Sequence, residues 1–287
     1  MTATVRPAPA RRMLEPVVIE DPEGFAALCE KITAERGFRC TSYKERCLVR
    51  RIGVRLRAVG VHTFADYMRV LDADPREWDR LLDVLTINVT KLFRNWEAWQ
   101  ALAERVVPAL WARPDEELGV WSAGSSSGEE AYSLAALFHR HAERRGELGR
   151  LGRVRVLGTD IDRDSLAAAA RGVYAESAFA DTPADLRARY FGAGPLAHVA
   201  PELRAMVTFE RRDLLREPAP PGRWHLIACR NVVIYFDRES QEDLFLRFHD
   251  ALAPGGALFL GKVETLLGPV RTLVAPVDAR ERIFRRP

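Results

Sequence analysis

An apolar run, a loop of very small residues and a helical pattern follow one another near the middle of the chain. Residues 120–134 read VWSAGSSSGEEAYSL, and a second apolar run, residues 154–159, ends at Asp160. A strand, a glycine loop, a helix and a second strand that ends in an acidic residue form a unit that binds nucleotide-type ligands on parallel sheets. Gly124 and Gly128 let the backbone approach a ligand, and an acid at position 160 is placed to bind ribose hydroxyls.

The charge at the start of this helix favours one class of ligand. Glu129 and Glu130 follow Gly128 directly, and the glycine spacing departs from Gly-x-Gly-x-x-Gly. Two carboxylates at a helix start repel a pyrophosphate and attract a cation. S-adenosylmethionine carries a sulfonium and an α-ammonium group, so the pattern favours this cofactor over NAD and indicates a methyltransferase.

Composition limits the possible classes of protein without choosing among enzymes. The 287 residues are 47% hydrophobic and 29% charged, with a formal net charge of +3, which is typical of a globular chain with one large or two medium domains. So small a net charge gives no general argument for nucleic-acid or membrane binding, and no apolar run reaches the roughly 18 residues of a membrane span. Four cysteines without a Cys-x-x-Cys pair or a metal-type histidine spacing predict reduced thiols in a cytoplasmic protein, with no metal site.

Three regions differ in their residue patterns. Residues 1–19 are predicted to be a disordered tail, residues 20–90 an all-helical domain and residues 91–287 an α/β domain. Helical periodicity covers 21–36, 44–59, 63–71 and 76–86. Strand patterns at 119–122, 154–159, 206–210, 225–229 and 257–261 alternate with helical ones, which predicts a mostly parallel, three-layer sheet. Residues 280–286 are predicted to form a final edge strand, and the connection from 172 to 207 is too long for a simple loop.

The second predicted helix carries arginines on both sides of a narrow apolar stripe. The arginines are Arg46, Arg50, Arg51, Arg55 and Arg57. One interpretation is a docking surface for an acidic partner, such as a helix that bears glutamates, or for nucleic acid. The alternative is an ordinary solvated face of a helix.

Five segments, in order, resemble the CheR family of chemoreceptor glutamate O-methyltransferases. They are LTINVTKLFRN at 85–95, WSAGSSSGEE at 121–130, LGTDID at 157–162, CRNVVIYFD at 229–237 and LAPGGALFLG at 252–261. The likeness extends over residues 20–285. It implies a Rossmann-like S-adenosylmethionine-dependent methyltransferase sheet, an all-helical N-terminal domain and a small β-subdomain inserted at 172–207. It also implies methyl transfer from S-adenosylmethionine to glutamates on the cytoplasmic helical bundle of a chemoreceptor, with S-adenosylhomocysteine as product.

The resemblance implies a role for each matching residue. Glu129 would take the methionine ammonium and Asp160 the ribose hydroxyls, whereas Arg94 and Arg230 would hold the substrate carboxylate and Tyr235 would close beside the sulfonium. The implied cofactor contacts are Asn88, Thr90, Arg94, Gly124, Glu129, Asp160, Asp213, Leu214, Arg230 and Asn231. The implied catalytic residues are Arg94, Arg230 and Tyr235. A glutamate carboxylate is already nucleophilic at neutral pH, so alignment and exclusion of water matter more than a general base.

Each of these residues also has a structural interpretation. Glu129 fits a first-turn acid, Asp160 a helix cap, the two arginines structural ion pairs and Tyr235 a core position. The sequence departs from the family pattern at Lys91, Leu92, Asp213 and Lys262, which motivates a second hypothesis, a non-catalytic S-adenosylmethionine-binding scaffold or sensor. A nucleic-acid methyltransferase is disfavoured, because the Asn/Asp-Pro-Pro-Tyr/Phe and Pro-Cys motifs are absent. The short, neutral stretch at 190–204 predicts docking without a C-terminal pentapeptide tether on the receptor.

Overall fold

The computed structural model describes residues 21–86, 90–114, 117–192 and 194–287. The described residues form two compact units, one of residues 21–41 and 45–85 and the other of residues 42–44 and 86–287. The predicted disordered tail, residues 1–19, lies outside the described residues, and so does Asn88. Within the part of the chain that is described, no helix is both long and apolar enough to cross a membrane.

The first unit contains the four helices that the periodicity predicts. They are α1 (Pro22–Arg36), α2 (Glu45–Val59), α3 (Phe64–Ala73) and α4 (Pro75–Leu85), and a 3₁₀ turn covers Cys40–Ser42. The predicted start of α1 is confirmed, because the Asp21 carboxylate accepts a hydrogen bond from the Gly24 amide and Pro22 occupies the first turn. Gly37 ends α1 in the left-handed conformation, at φ +70°.

A buried ion pair joins three of these helices. Glu77 on α4 is 1% exposed, and both of its carboxylate oxygens accept hydrogen bonds from Arg55 on α2, each at 2.8 Å. The Tyr67 hydroxyl on α3 donates to the same carboxylate at 2.8 Å. Burial opposes ionisation of Glu77, but the bonds from Arg55 and Tyr67 hold its pKa below the ordinary value. The pair therefore fixes the packing of α2 against α3 and α4.

Two of the five arginines predicted to form a docking surface on α2 serve the unit itself, which corrects that prediction. Arg55 binds Glu77, and Arg51 Nη1 donates to the carbonyl oxygens of Val84 and Leu85 at 2.9 and 2.6 Å, at the end of α4. A helical wheel cannot reveal these partners because they lie on another helix. Three arginines remain exposed at helical spacing, and we call them the exposed basic stripe: Arg46, Arg50 and Arg57.

The second unit is built on a seven-stranded sheet with the strand order β5-β2-β1-β6-β7-β9-β8. The strands are β1 (Leu118–Ala123), β2 (Val154–Asp160), β5 (Val207–Arg211), β6 (Trp224–Cys229), β7 (Leu252–Leu260), β8 (Ala275–Asp278) and β9 (Ile283–Arg285). A separate antiparallel pair consists of β3 (Val173–Ala175) and β4 (Leu196–His198). Strands β5, β2, β1, β6 and β7 are parallel, as predicted, and β9 is antiparallel to both of its neighbours.

The helices of this unit connect and cover the strands. They are α5 (Trp96–Arg105), α6 (Val107–Trp111), α7 (Glu129–Arg144), α8 (Arg163–Arg171), α9 (Ala184–Tyr190), α10 (Pro201–Arg204), α11 (Arg238–Ala251) and α12 (Val270–Leu273). Shorter 3₁₀ turns lie at Leu148–Arg153, Glu176–Phe179 and Val233–Tyr235. Strands β2 and β5 lie on one side of β1, and β6 and β7 lie on the other. The strand order therefore reverses between β1 and β6.

The prediction of a final edge strand at 280–286 is wrong about its position in the sheet. Strand β9 pairs with β7 on one side and β8 on the other, so it lies inside the sheet and β8 forms the edge. The sequence did not indicate β8, because this strand has four residues, includes Pro276 and is half-exposed, so it lacks an apolar alternation.

The connection from 172 to 207 carries structure of its own, as its length predicts. It contains β3, β4, α9, α10 and the turn Glu176–Phe179. This insertion also holds the segment 91–95. The Leu92 amide donates to the Ala178 carbonyl at 3.0 Å, the Thr182 hydroxyl donates to the Leu92 carbonyl at 3.1 Å, and the Asn95 amide donates to Asp181 at 2.9 Å.

We expect Glu77→Ala to lower the free energy of unfolding by about 3 kcal/mol, because it leaves the partly buried guanidinium of Arg55 without its counter-ion. The folded state holds the pKa of Glu77 low, so this contribution is present at neutral pH and disappears as the pH falls through the folded-state pKa. Urea unfolding followed by circular dichroism measures the change. The control Arg76→Ala removes the exposed Asp74–Arg76 pair and should cost less than about 1 kcal/mol. Equal losses in the two variants would contradict a structural role for Glu77.

Candidate functional site

The candidate site lies where the strand order reverses, at the carboxyl ends of β1 and β6. Open α/β sheets bind ligands at this kind of position. Gly124 follows β1 with φ +80°, and a Cβ atom at this residue would lie 2.6 Å from Cγ2 of Val232, which follows β6. The two loops therefore pack directly on each other, and this contact requires glycine at position 124.

A small cleft opens at this position. The lining residues are Thr90, Lys91, Arg94, Trp99, Gly124, Ser126, Glu130, Arg230, Asn231 and Val232. Five of the predicted site residues meet here: Thr90, Arg94, Gly124, Arg230 and Asn231.

Asp160 lies beside the cleft, at the end of β2. Its Oδ2 accepts from the amide of Ser126, a lining residue, at 2.8 Å, and its Oδ1 accepts from the Asp162 amide at 3.0 Å. Burial raises the pKa of Asp160, although these backbone donors oppose the rise. Asp162, not Asp160, caps α8, because it accepts from the amides of Asp164 and Ser165. The helix-cap interpretation of Asp160 therefore does not apply, and this carboxylate helps to shape the ligand loop.

Glu129 begins α7 and is 5% exposed. Its carboxylate accepts hydrogen bonds from the hydroxyl groups of Ser127, at 2.8 Å, and Thr90. Both of these donors are neutral, and burial raises the pKa of Glu129 to about 7. A buried carboxylate with neutral donors gains most from a ligand that brings a positive charge.

Arg230 presents the opposite charge to the same cleft. The guanidinium lies 5.2 Å from the ring centroid of Trp99 and 4.6 Å from that of Phe259, and these two rings contact each other edge to face. Its Nε and Nη2 are buried, and among the described residues neither has a hydrogen-bond acceptor. Burial lowers the pKa of Arg230, but a guanidinium remains protonated in proteins. The free edge of this fork is therefore suited to a planar anion such as a carboxylate.

Arg94 reaches the cleft from a strained segment. Its neighbours Phe93 and Asn95 adopt left-handed conformations, at φ +52° and +60°. The Ser133 hydroxyl of α7 accepts from the Phe93 amide at 2.9 Å, and the Trp99 indole donates to the Arg94 carbonyl at 3.0 Å. Strain of this kind persists only where the surroundings hold it, and it is concentrated at functional sites.

The carboxylate of Glu264 holds the loop that carries Arg230 and Asn231. Its Oε1 accepts from the amides of Val232 and Val233, both at 2.9 Å. Its Oε2 accepts from the amides of Asn231, at 3.0 Å, and Gly261, at 2.6 Å. Asn231 adopts φ +62°, and its buried Oδ1 has no hydrogen-bond donor among the described residues.

Five predicted site residues that the structure describes are not among those that line the cleft: Glu129 and Asp160, which bond to lining residues, and Asp213, Leu214 and Tyr235. Asp213 Oδ1 accepts from the Leu215 amide at 2.8 Å, and Leu214 is buried in an apolar cluster. Tyr235 is half-buried against the same cluster, and its carbonyl accepts from the Lys44 amide. Their roles toward a ligand stay predictions, as does that of Asn88, which lies outside the described residues.

The sequence did not indicate two residues of this site, Trp99 and Glu264, and it gave Glu130 no role beyond that of a second acid beside Glu129. No helix was predicted at α5, so nothing in the pattern suggested an aromatic face beneath Arg230. Glu130 follows Glu129, and the only sequence signal for its role is this pairing of two acids at a helix start. Glu264 acts on backbone amides more than thirty residues earlier in the chain, a contact without a local signal.

Comparisons with known proteins agree with this geometry. The family model described as CheR methyltransferase, SAM binding domain, matches residues 88–282, and the one described as CheR methyltransferase, all-alpha domain, matches residues 23–86. A chemotaxis protein methyltransferase of Klebsiella aerogenes is 38% identical over 249 residues, which cover 84% of this chain and 82% of that protein. One of Escherichia coli is 34% identical over 262 residues, 88% of this chain and 87% of that protein.

A third relative is much longer. An uncharacterized 104.1 kDa protein of Rhodobacter capsulatus is 34% identical over 270 residues, which cover 93% of this chain. The chain spans only 28% of the length of that protein.

We expect Glu129→Gln to raise the free energy of unfolding at pH 8 by about 2 kcal/mol. The folded state raises the pKa of Glu129 to about 7. Between the ordinary carboxylate pKa and about pH 7, the native protein therefore binds more protons than the unfolded chain does. Its free energy of unfolding falls as the pH rises through this range. Removing the charge should have little effect at pH 5. Denaturant unfolding at both pH values tests this, with Glu97→Gln as control, an exposed first-turn glutamate of α5. A loss of stability at pH 8 would contradict the prediction.

Proposed function

The chain belongs to the CheR methyltransferase family, and on that basis we propose that it methylates glutamate side chains on the cytoplasmic helical bundle of a chemoreceptor. The products would be glutamate methyl esters and S-adenosylhomocysteine. S-adenosylmethionine is the cofactor, since the matched domain of residues 88–282 is the one that binds it. The observation that carries the choice of substrate is Arg230, a residue that lines the cleft and whose buried Nε and Nη2 have no acceptor among the described residues.

Residues in the cleft and directly beside it fit the cofactor's groups. The carboxylate of Glu129, buried among neutral donors, would hold the α-ammonium, and Asp160 would accept hydrogen bonds from the ribose hydroxyls. Gly124 lets its loop pack closely against Val232, and the buried Oδ1 of Asn231 is an acceptor for which the described residues supply no donor. Bound S-adenosylmethionine supplies an electrophilic methyl carbon on a positively charged sulfur.

The protein's contribution to the transfer would be alignment and exclusion of water. A glutamate carboxylate needs no base, because it is ionised and nucleophilic at neutral pH. The fork of Arg230, with Arg94 beside it, would orient the carboxylate, and the rings of Trp99 and Phe259 keep water away from the guanidinium. Both arginines should orient the substrate carboxylate more than neutralise it. Binding that stabilises the ground state more than the transition state would slow the attack.

The exposed basic stripe would guide the receptor to the enzyme. Arg46, Arg50 and Arg57 are free of the internal contacts that occupy Arg51 and Arg55. Val54, 44% exposed, adds an apolar contact within the stripe. An acidic helical surface complements this pattern. We propose that docking uses this surface without a C-terminal pentapeptide tether, and tight binding of such a pentapeptide to the protein would contradict that part. A cytoplasmic location is part of the same proposal.

The first experiment is a calorimetric titration with S-adenosylhomocysteine, followed by transfer of a tritiated methyl group to a purified receptor bundle. We expect one-to-one binding in the micromolar range or tighter, and label that mild alkali releases as methanol, as a methyl ester requires. Arg230→Lys should reduce transfer about 100-fold while changing S-adenosylhomocysteine affinity less than about fivefold, because lysine cannot form the two-pronged contact.

Two further outcomes would each contradict a different part of this proposal. Asp160→Asn should weaken the binding of S-adenosylhomocysteine by about 1.5–3 kcal/mol while the fold stays intact. Unchanged affinity would mean that Asp160 has a purely structural role. Tight S-adenosylhomocysteine binding without transfer to any receptor glutamate would instead favour a non-catalytic scaffold or sensor.

We expect the triple variant Arg46→Glu, Arg50→Glu and Arg57→Glu to reduce receptor methylation about tenfold or more, with S-adenosylhomocysteine affinity unchanged, because the reversed charges repel an acidic partner. Raising the salt concentration should reduce the wild-type rate in the same direction. The matched control reverses three other exposed arginines of the same unit, Arg39, Arg69 and Arg76, and alters net charge equally. Equal methylation by the two triple variants would refute docking through the stripe.

A further inference from the structure

Glu130 is a buried carboxylate of the cleft to which the proposed function gives no task. The residue is 8% exposed and lines the cleft together with Arg230 and Arg94. Its Oε1 accepts a hydrogen bond from the Ser122 hydroxyl of β1 at 2.8 Å, which fixes the carboxylate against the sheet. A buried charged side chain at a ligand site calls for an explanation, because burial disfavours its ionised form.

The surroundings of Glu130 relate it to Arg230. Among its charged neighbours, Arg230 contributes most to stabilising the ionised form of Glu130. Arg94 contributes in the same sense, and Glu264 opposes both. Arg230 in turn is stabilised as a cation by Glu130 ahead of Glu264. The Nε and Nη2 atoms of Arg230 nevertheless lack an acceptor among the described residues. Glu130 therefore balances the charge of Arg230 through space, while part of the guanidinium remains without a hydrogen-bond acceptor among the described residues.

We propose that Glu130 is a positioning residue that competes with the substrate carboxylate for the charge of Arg230 and so limits how tightly the ionised substrate is held. This inference rests on the proposed function, in which Arg230 holds the substrate. With substrate bound, two carboxylates share the field of one guanidinium, which keeps the attacking oxygen anionic and loosely held. Methylation makes the substrate neutral. Glu130 then remains as the counter-charge of Arg230, and the ester has no ionic contact to hold it.

Protonation of Glu130 should change this competition within the physiological range. Burial, together with Glu264, raises the pKa of Glu130 to about 7 against the opposing effect of Arg230 and Arg94. Below this pH the neutral Glu130 no longer compensates Arg230, and a ligand carboxylate binds more tightly. Above it the ionised Glu130 competes. Glu129 titrates in the same range, so only a comparison of variants isolates Glu130.

The test uses the full chain saturated with S-adenosylhomocysteine and two small probes, titrated by NMR. One probe is N-acetyl-glutamate N-methylamide, which carries the carboxylate, and the other is its neutral γ-methyl ester. We expect wild-type affinity for the acid to rise about fivefold from pH 8 to pH 6. Glu130→Gln keeps an acceptor for Ser122 and should bind the acid at pH 8 about fivefold more tightly than wild type, without pH dependence and with unchanged ester affinity. Glu130→Asp should restore the pH dependence.

The control variant is Glu281→Gln. Glu281 is buried and also acts on Arg230 electrostatically, but it is not among the residues that line the cleft. An equal effect of Glu281→Gln would show that any nearby charge suffices and would overturn a positioning role for Glu130. Wild-type preference for the acid with no change in Glu130→Gln would overturn this inference alone. If neither protein prefers the acid to the ester, Arg230 does not hold a carboxylate, and the inference falls together with the substrate assignment.

Discussion

The four hydrogen bonds to the carboxylate of Glu264 hold the part of the sheet on which the site depends. The donors are the amides of Asn231, Val232, Val233 and Gly261, which follow two adjacent strands of the sheet. The chain leaving β6 can therefore turn through the left-handed conformation at Asn231 and pack against Gly124. Burial raises the pKa of Glu264 while the four amides oppose the rise. A neutral side chain offers fewer acceptor sites, so a carboxylate is the group suited to accept from all four donors.

The loop fixed in this way places charges of opposite sign in one small, buried volume. The start of α7 contributes Glu129 and Glu130, and the chain after β6 contributes Arg230, with Arg94 arriving from the strained segment 91–95. The proposed function calls for charges of both signs, because the methyl donor is cationic and the proposed acceptor is anionic. The insertion between β3 and β5 takes part by anchoring the segment 91–95 through Ala178, Asp181 and Thr182.

The sequence predicts features that local patterns encode and misses those that depend on distant contacts. Strand and helix periodicity predicts the four N-terminal helices and the parallel sheet, and the glycine loop predicts the position of Gly124 at the cleft. The strand β8 is missed, because its four residues lack an apolar alternation, and the predicted strand at 280–286 is therefore placed at the edge of the sheet. Arg51 and Arg55 look like surface residues on a wheel, since their partners Glu77 and the end of α4 lie elsewhere in the chain.

The two units treat buried charge differently, and this difference separates structural from functional residues. In the first unit, Glu77 is fully matched, with two bonds from Arg55 and one from Tyr67. In the second, the donors to Glu129 are neutral hydroxyls, and two nitrogens of Arg230 lack acceptors among the described residues. A buried pair that is satisfied within the protein resists removal of either partner. Buried charges without a full set of partners lower the stability of the ligand-free protein. A ligand of complementary charge supplies the missing partner, and its binding gains the corresponding free energy.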